Sequence, residues 1–154
     1  TYGTCVGGAI VRGGAVYHGA NWSAGEFGMM YMNGEYYENI ASVTRLVEQA
    51  KAMDASLCDG RAITAQLNRS DVYALVDGWA KQVAEGLASL MHIFNPACMI
   101  IGGGIMENKD VFNMVTSKVS ELTAPGFDVN IHSARFGNSA GLIGAGILAQ
   151  KLMK

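Results

Sequence analysis

Cysteine, proline and charge are all scarce in this chain, and each scarcity excludes something. Its 154 residues include three cysteines, two prolines and only 16% charged side chains. Cys5, Cys58 and Cys98 are odd in number, widely spaced and never arranged as CxxC. That disfavours a disulfide framework and a thiolate zinc cage, and a reducing cytoplasm is the expected compartment. Eleven basic residues against thirteen acidic ones leave a net charge of −2. Nucleic acid and anionic membrane surfaces need a basic face that this balance does not provide. No apolar run reaches the roughly 18 residues of a membrane span, and no basic-then-apolar leader opens the chain. Internal repeats and low-complexity tracts are missing too. No GxxxxGK[ST] occurs, which excludes a P-loop, and no GxGxxG follows a strand, which weakens a dinucleotide fold.

Apolar residues and glycine are what the chain has in quantity. Half of the residues are hydrophobic, and the length suffices for one domain with a full core or two small lobes. Glycine contributes 20 of 154 residues, about 13% against an average of about 7%. Thr1-Tyr2-Gly3-Thr4 reads as a strand end running into a glycine turn, so partner strands are expected upstream in a longer protein. Gly8–Arg12 and Ala15–His18 are short β-like runs joined by Gly13-Gly14, a hairpin signal because glycine accepts the positive φ of tight turns.

From Glu38 the period changes to three and four. Ile40, Val43, Leu46, Val47 and Ala50 predict an amphipathic helix to about Met53, followed by a loop over Asp54–Gly60. Ser70-Asp71 are N-cap candidates for a longer helix with the stripe Val72, Leu75, Val76, Trp79, Val83, Leu87, Leu90 and Phe94, broken at Asn95-Pro96. Cys98–Ile101 fits a buried strand emptying into Gly102-Gly103-Gly104. A helix over about Lys109–Thr123, a strand over about Asp128–Ala134 and a final helix over about Ser139–Leu152 complete the order. Strands separated by a helix with short glycine turns mark a βαβ unit, and the fold class is α/β.

Glycine at a strand end lets backbone N–H groups approach a phosphate, and a following helix adds a favourable dipole. Taken singly, each glycine stretch is as well explained by tight turns and close packing. Their order is more specific. Gly3-Thr4-Cys5-Val6-Gly7-Gly8, Gly19-Ala20-Asn21, Ala24-Gly25-Glu26-Phe27-Gly28, Asn95-Pro96 ahead of Ile101-Gly102-Gly103-Gly104, and Ala140-Gly141-Leu142-Ile143-Gly144-Ala145 together resemble the ROK family of sugar kinases and sugar-responsive repressors. The blocks span essentially the whole chain.

The resemblance implies an actin-like, ribonuclease-H-like C-terminal lobe over residues 1–154, a mixed sheet packed by helices, with the N-terminal lobe absent from this chain. In such proteins ATP and a hexose meet between lobes. Gly3, Thr4 and Gly7 match the turn that contacts ATP phosphates, and Gly102, Gly103 and Gly104 match the turn against the adenosine. Glu26 matches a sugar-binding glutamate, and Glu38 resembles a second one. Mg²⁺ accompanies ATP in the full-length protein, and the resemblance also implies a homodimer.

The sequence departs from the family pattern in several places. Met29 stands where the family usually has a zinc-ligating His, and no Cys or His lies between Met29 and Glu38. No structural zinc is therefore expected. Cys5 and Ala9 replace common glycines of the phosphate turn. The family's catalytic aspartate belongs to the other lobe, so no catalytic residue is assigned here and the isolated chain is expected to be inactive. Asp54, Asp59, Asp71, Asp77, Asp110 and Asp128 read as caps or solvated charges. His18, His92 and His132 read as isolated histidines. Trp22 reads equally as a sugar-stacking ring or as a surface or interface residue. Met29, Met30 and Met32 read as gap-fillers, Trp79 as core, and Tyr31, Tyr36 and Tyr37 as lining for a shortened sugar-side loop. The expected function is part of an ATP-dependent hexose or glycoside kinase. The alternative is the sugar-sensing half of a ROK-type repressor, and a free-standing interaction module comes last.

Overall fold

A computed structural model describes residues 1–153, the side chains of residues 138, 151 and 152 apart. Its elements in chain order are β1 (Ile10–Arg12), β2 (Ala15–Tyr17), β3 (Tyr31–Met32), β4 (Glu35–Tyr36), α1 (Tyr37–Ala41), α2 (Val43–Met53), α3 (Gly60–Thr64), α4 (Ser70–Phe94), β5 (Met99–Ile101), α5 (Lys109–Leu122), β6 (Ile131–Ser133) and α6 (Ala140–Leu152). Single 3-10 turns at Phe27–Met29, Gly104–Glu107 and Gly137–Ser139 link them. The helix and strand order expected from periodicity is present throughout.

The core sits against α4. Val72, Val76, Trp79, Ala80, Val83 and Leu87 recur at three- and four-residue steps and are buried. Each such Val or Leu stabilises the fold by roughly 1.5–3 kcal/mol through burial. Val111, Val115 and Val119 of α5 repeat at i+4, form one fully buried stripe and belong to the same core. The salt bridge Lys118 Nζ–Asp77 Oδ1, 2.7 Å, ties the two helices on their outer side. Asn95 ends α4 in the left-handed region, φ 40°, one residue before Pro96.

Two local expectations are corrected, and two elements appear that none covered, α3 and the hairpin β3–β4. The helix expected from Glu38 to Met53 is two helices, α1 and α2, broken at Ser42. Ser42 is extended there, and its hydroxyl accepts from Arg45 N at 3.3 Å as the N-cap of α2. The break is held by tertiary structure: Trp79 Nε1 donates to the carbonyls of Ala41 and Ser42, at 3.1 and 3.3 Å. Within Asp54–Gly60, the expected loop, Asp59 caps α3 through Ala62 N at 2.8 Å. Ser70 is not a cap, because Arg69 occupies that position, without a side-chain capping bond. Finally, Asn33-Gly34, with φ of 54° and 87°, turns the hairpin β3–β4, which no sequence expectation covered.

Strand pairing is more fragmentary than one mixed sheet. Among the described residues β1 pairs with β2 antiparallel, β3 with β4 antiparallel, and β5 with β6 parallel. The parallel pair embracing α5 is the βαβ unit expected from the sequence.

Candidate functional site

The first glycine turn is an antiparallel loop closed on itself. Thr1 and Gly7 exchange two backbone bonds, 2.8 and 3.0 Å, and Gly3 N donates to Cys5 O at 3.0 Å. At the tip, the amides of Thr4 and Cys5 donate to no group among the described residues, and the Thr4 side chain is exposed. Outward amides at a turn are a natural acceptor site for anionic oxygens.

The second glycine turn is held against the first. Tyr2 N donates to Gly102 O at 2.9 Å. Gly103 has φ 114°, and a Cβ there would overlap the carbonyl of Tyr2. Glycine is thus required twice at one position, by the backbone angle and by contact. Gly104 opens the 3-10 turn to Glu107, and Gly3 O accepts from Val43 N of α2 at 2.9 Å. Gly3, Val43, Asp59, Arg61, Gly104 and Glu107 line a cleft of about 290 Å³ at this junction. Arg61, Thr64 and Glu107 were missed by sequence reasoning, and Asp59 was read there only as a cap or solvated charge. The Asp59 cap signal would have revealed α3, but nothing local shows that α3 faces the glycine turns.

The Gly25–Gly28 motif packs on the far side of the first turn. Gly25 is buried against the backbone of Gly8 and Ala9, and Gly8 lies under the Phe27 ring. Gly28 is buried between the Val6 carbonyl and Glu38: a Cβ on Gly28 would stand 3.0 Å from Glu38 Oε2. Glu38 itself is half-buried in the first turn of α1. Its charge lies close enough to Cys5 to push the thiol pKa up, with desolvation and a hydrogen bond from Cys5 adding to the shift. Glu26 is exposed, and its carbonyl accepts from Met29 N at 3.1 Å. Gly3, Thr4, Gly7, Glu38 and the Gly102–Gly104 turn are therefore neighbours, with Glu26 on the adjoining loop.

Other singled-out residues fall as follows. Tyr37 is not a loop-lining residue but fully buried: its hydroxyl donates to Val83 O at 2.7 Å and shares a 2.7 Å bond with Tyr2. Burial pushes both phenol pKa values up. Gly86 makes room for the Tyr37 ring, which a Cβ there would strike. Trp79 is core, and Met30 and Met32 pack against the core, whereas Met29 is half-exposed. Tyr31 and Tyr36 are exposed and meet edge to face. Trp22 is 78% exposed, has φ 65° and stacks on His18 at 4.3 Å. His92 Nε2 accepts from Ala124 N at 3.0 Å. Asp54 accepts from Arg69, Ser56 N and Ser56 Oγ, which holds its carboxyl down at about 2. Among the described residues no three His, Cys, Asp or Glu side chains gather around a common point for a metal. No described helix is long and apolar enough to cross a membrane.

Two glycine turns are thus bonded back to back, with carboxylates on the neighbouring loop and helix. The chain belongs to the ROK family, whose model matches residues 1–152. An uncharacterised protein of Clostridium perfringens is 33% identical over 153 residues, 94% of this chain and 52% of that protein. A beta-glucoside kinase of Listeria innocua is 29% identical over 159 residues, 94% of this chain and 53% of the kinase. Among solved structures, a ROK hexokinase from Thermus thermophilus matches with a TM-score of 0.82 and 27% identity, over 94% of this chain and 53% of that one. A ROK family transcriptional regulator, a homologue of the E. coli MLC protein, shares the fold with a TM-score of 0.80 at 21% identity, over 97% of this chain and 44% of the regulator. The chain spans about half the length of the curated relatives it matches.

Proposed function

We propose that this chain is the C-terminal lobe of a cytoplasmic ATP-dependent sugar kinase acting on a hexose or related glycoside. The observation that carries the reading is the direct bond between the two glycine turns, Tyr2 N to Gly102 O, which holds them side by side. The fit to a nucleotide rests on the outward amides of Thr4 and Cys5. Gly3, Thr4 and Gly7 would receive the phosphates, and Gly102, Gly103 and Gly104 would lie against the adenosine. Mg²⁺, bound chiefly through nucleotide phosphates and water, would neutralise their charge.

Glu26 and Glu38 act as acceptors for sugar hydroxyls. An acceptor that a bound ligand shuts off from water and leaves unpaired is costly, so a ligand lacking the matching hydroxyl is rejected. Glu38 suits that task because its carboxylate stands against Gly28. The base that deprotonates the sugar hydroxyl must lie within hydrogen-bond reach of that proton. No aspartate of this chain has that role, and the base is assigned to an N-terminal lobe. The working unit is a homodimer without structural zinc, without membrane and without nucleic acid.

The test is sugar-dependent ADP release by the chain extended to its natural start, across a hexose and glycoside panel with Mg²⁺-ATP. Release with one sugar and not others supports the kinase, and the isolated lobe is expected to release none. Sugar-induced thermal stabilisation without ADP release supports the second reading, a sugar-sensing repressor domain, which the fold shared with the ROK regulator favours.

A further inference from the structure

One exposed ring has a conformation and a partner that an ordinary surface residue lacks. Trp22 is 78% exposed, stands at φ 65° and has the His18 ring behind it, 4.3 Å between centroids and 39° between planes. A bulky residue in the left-handed region is strained, and such strain persists where the surrounding structure holds it. Here Ala24 N donates to His18 O at 3.1 Å and closes the loop, and a Cβ on Gly19 would stand 3.0 Å from that of Ala24. Burial offsets none of this strain, because the indole stays in water. We propose that Trp22, backed by His18, is a stacking platform for the second pyranose ring of a disaccharide whose first ring sits at Glu26 and Glu38.

The chemistry of the pair selects that ligand. An indole is flat and apolar on its faces and carries an N–H at its edge. His18 covers one face, and the exposure of Trp22 leaves the other open. Both residues are exposed, so they bring an N–H edge and imidazole nitrogens to the same place. A pyranose ring answers both features, with an apolar C–H face and a rim of hydroxyls. The loop that carries the platform is otherwise small or polar, Gly19-Ala20-Asn21 and Ser23-Ala24, which suits hydroxyls more than an apolar protein surface.

Chain connectivity keeps the platform close to the carboxylates. Trp22 precedes Glu26 by four residues, and four residues of fully extended chain span at most roughly 14 Å. Gly25, at φ 96° and buried against Gly8 and Ala9, turns the chain between them and fixes the base of the loop beside the first glycine turn. That spacing suits a ligand of two linked rings, the first at the carboxylates and the second over the indole. His18 acts through Trp22 as a positioning residue: its ring holds the indole in one orientation, so less side-chain freedom is lost when a sugar stacks. The platform rests on the sugar site assigned to Glu26 and Glu38, and it chooses among the ligands of that site a glycoside over a free hexose.

Catalysis and equilibrium binding in the full-length protein test it, with glucose set against cellobiose, gentiobiose and maltose, and galactose against lactose. Trp22→Gly removes the ring and accepts the φ of 65°, so the loop keeps its shape. It is expected to lower the ratio of disaccharide to hexose kcat/KM by roughly three- to tenfold, the worth of a ring stack, without lowering Tm. Trp22→Tyr keeps a flat ring and should retain most of the ratio. His18→Ala should lower the ratio less than Trp22→Gly does, and His18→Phe should restore it. Indole emission gives the binding readout: Trp79 is only 2% exposed, and the Trp22 signal is the part that Trp22→Tyr abolishes. Disaccharides are expected to shift that signal far more than the free hexoses. A shift with disaccharide but no ADP release from any sugar would sink the kinase reading and keep the platform. ADP release with the same sugar preference in Trp22→Gly would overturn the platform and keep the kinase. A signal that no disaccharide moves, or that moves only with protein concentration and so marks an interface between copies, would also overturn the platform.

Discussion

The helical side and the strand side of this molecule are drawn from similarly apolar sequence and end in opposite states. Along α4, Val72, Val76 and Val83 are fully buried, whereas Val11 and Ile100 on the strand side are 66% and 67% exposed. A helix satisfies its backbone internally and needs only a partner for one face. A strand needs neighbours at both edges as well as on its faces, so the same hydrophobicity stays in solvent until those edges are paired. The stable half is thus self-contained, and the two glycine turns sit at its margin with the strands.

Breaking the stable half has the largest expected effect. Trp79→Ala removes a buried ring and its two bonds to the α1–α2 break, and should cost about 3–5 kcal/mol in a denaturant melt. Gly103→Ala should cost about 1–3 kcal/mol through its positive φ and its contact with the Tyr2 carbonyl. In the full-length protein it should weaken ATP binding as well, read by titration with a nucleotide analogue. Glu38→Gln and Glu26→Gln leave the fold unchanged by circular dichroism. Each is expected to lower kcat/KM for the sugar by roughly ten- to a hundredfold, the worth of a hydrogen bond to a charged group.

Two pH experiments sharpen the contrast. The carboxyl of Asp54, held down at about 2 by Arg69 and Ser56, contributes stability above its unfolded value near 4 that is lost as pH falls through about 2. The gap in Tm between the native chain and Asp54→Asn should therefore close across that window. Tyr2 and Tyr37 have the opposite sign: their raised values contribute stability that is complete below about pH 10 and lost as pH rises past it. Tyr37→Phe should flatten that alkaline limb and cost about 1–3 kcal/mol at neutral pH by taking the partner from the buried Tyr2 hydroxyl. The smallest effect belongs to the exposed hairpin, where Val16→Thr should stay within about 0.5 kcal/mol.

Much of the fold is legible in the chain itself. Apolar steps of three and four mark α4 and α5, and Gly13-Gly14 marks the first hairpin. The order of the glycine blocks leads to the family, which the match over residues 1–152 bears out. What local pattern misses is what distant residues impose. Ser42 breaks a periodic helix because Trp79, far along the chain, takes the carbonyls at the break. Tyr37 looks like a loop residue and is core because Gly86 leaves space for its ring. The cleft residues Asp59 and Arg61 become neighbours of the glycine turns only through the packing of α3.

Periodicity, turn chemistry and block order in the sequence were enough to determine α4 and α5, the first hairpin and the ROK family, because these depend on residues close together or on their order along the chain. Only the tertiary structure decided that the Gly3 and Gly102 turns lie back to back and that Glu38 rests against Gly28. Each of these is a contact between segments remote in sequence, fixed by backbone bonds and steric fit that no local pattern encodes.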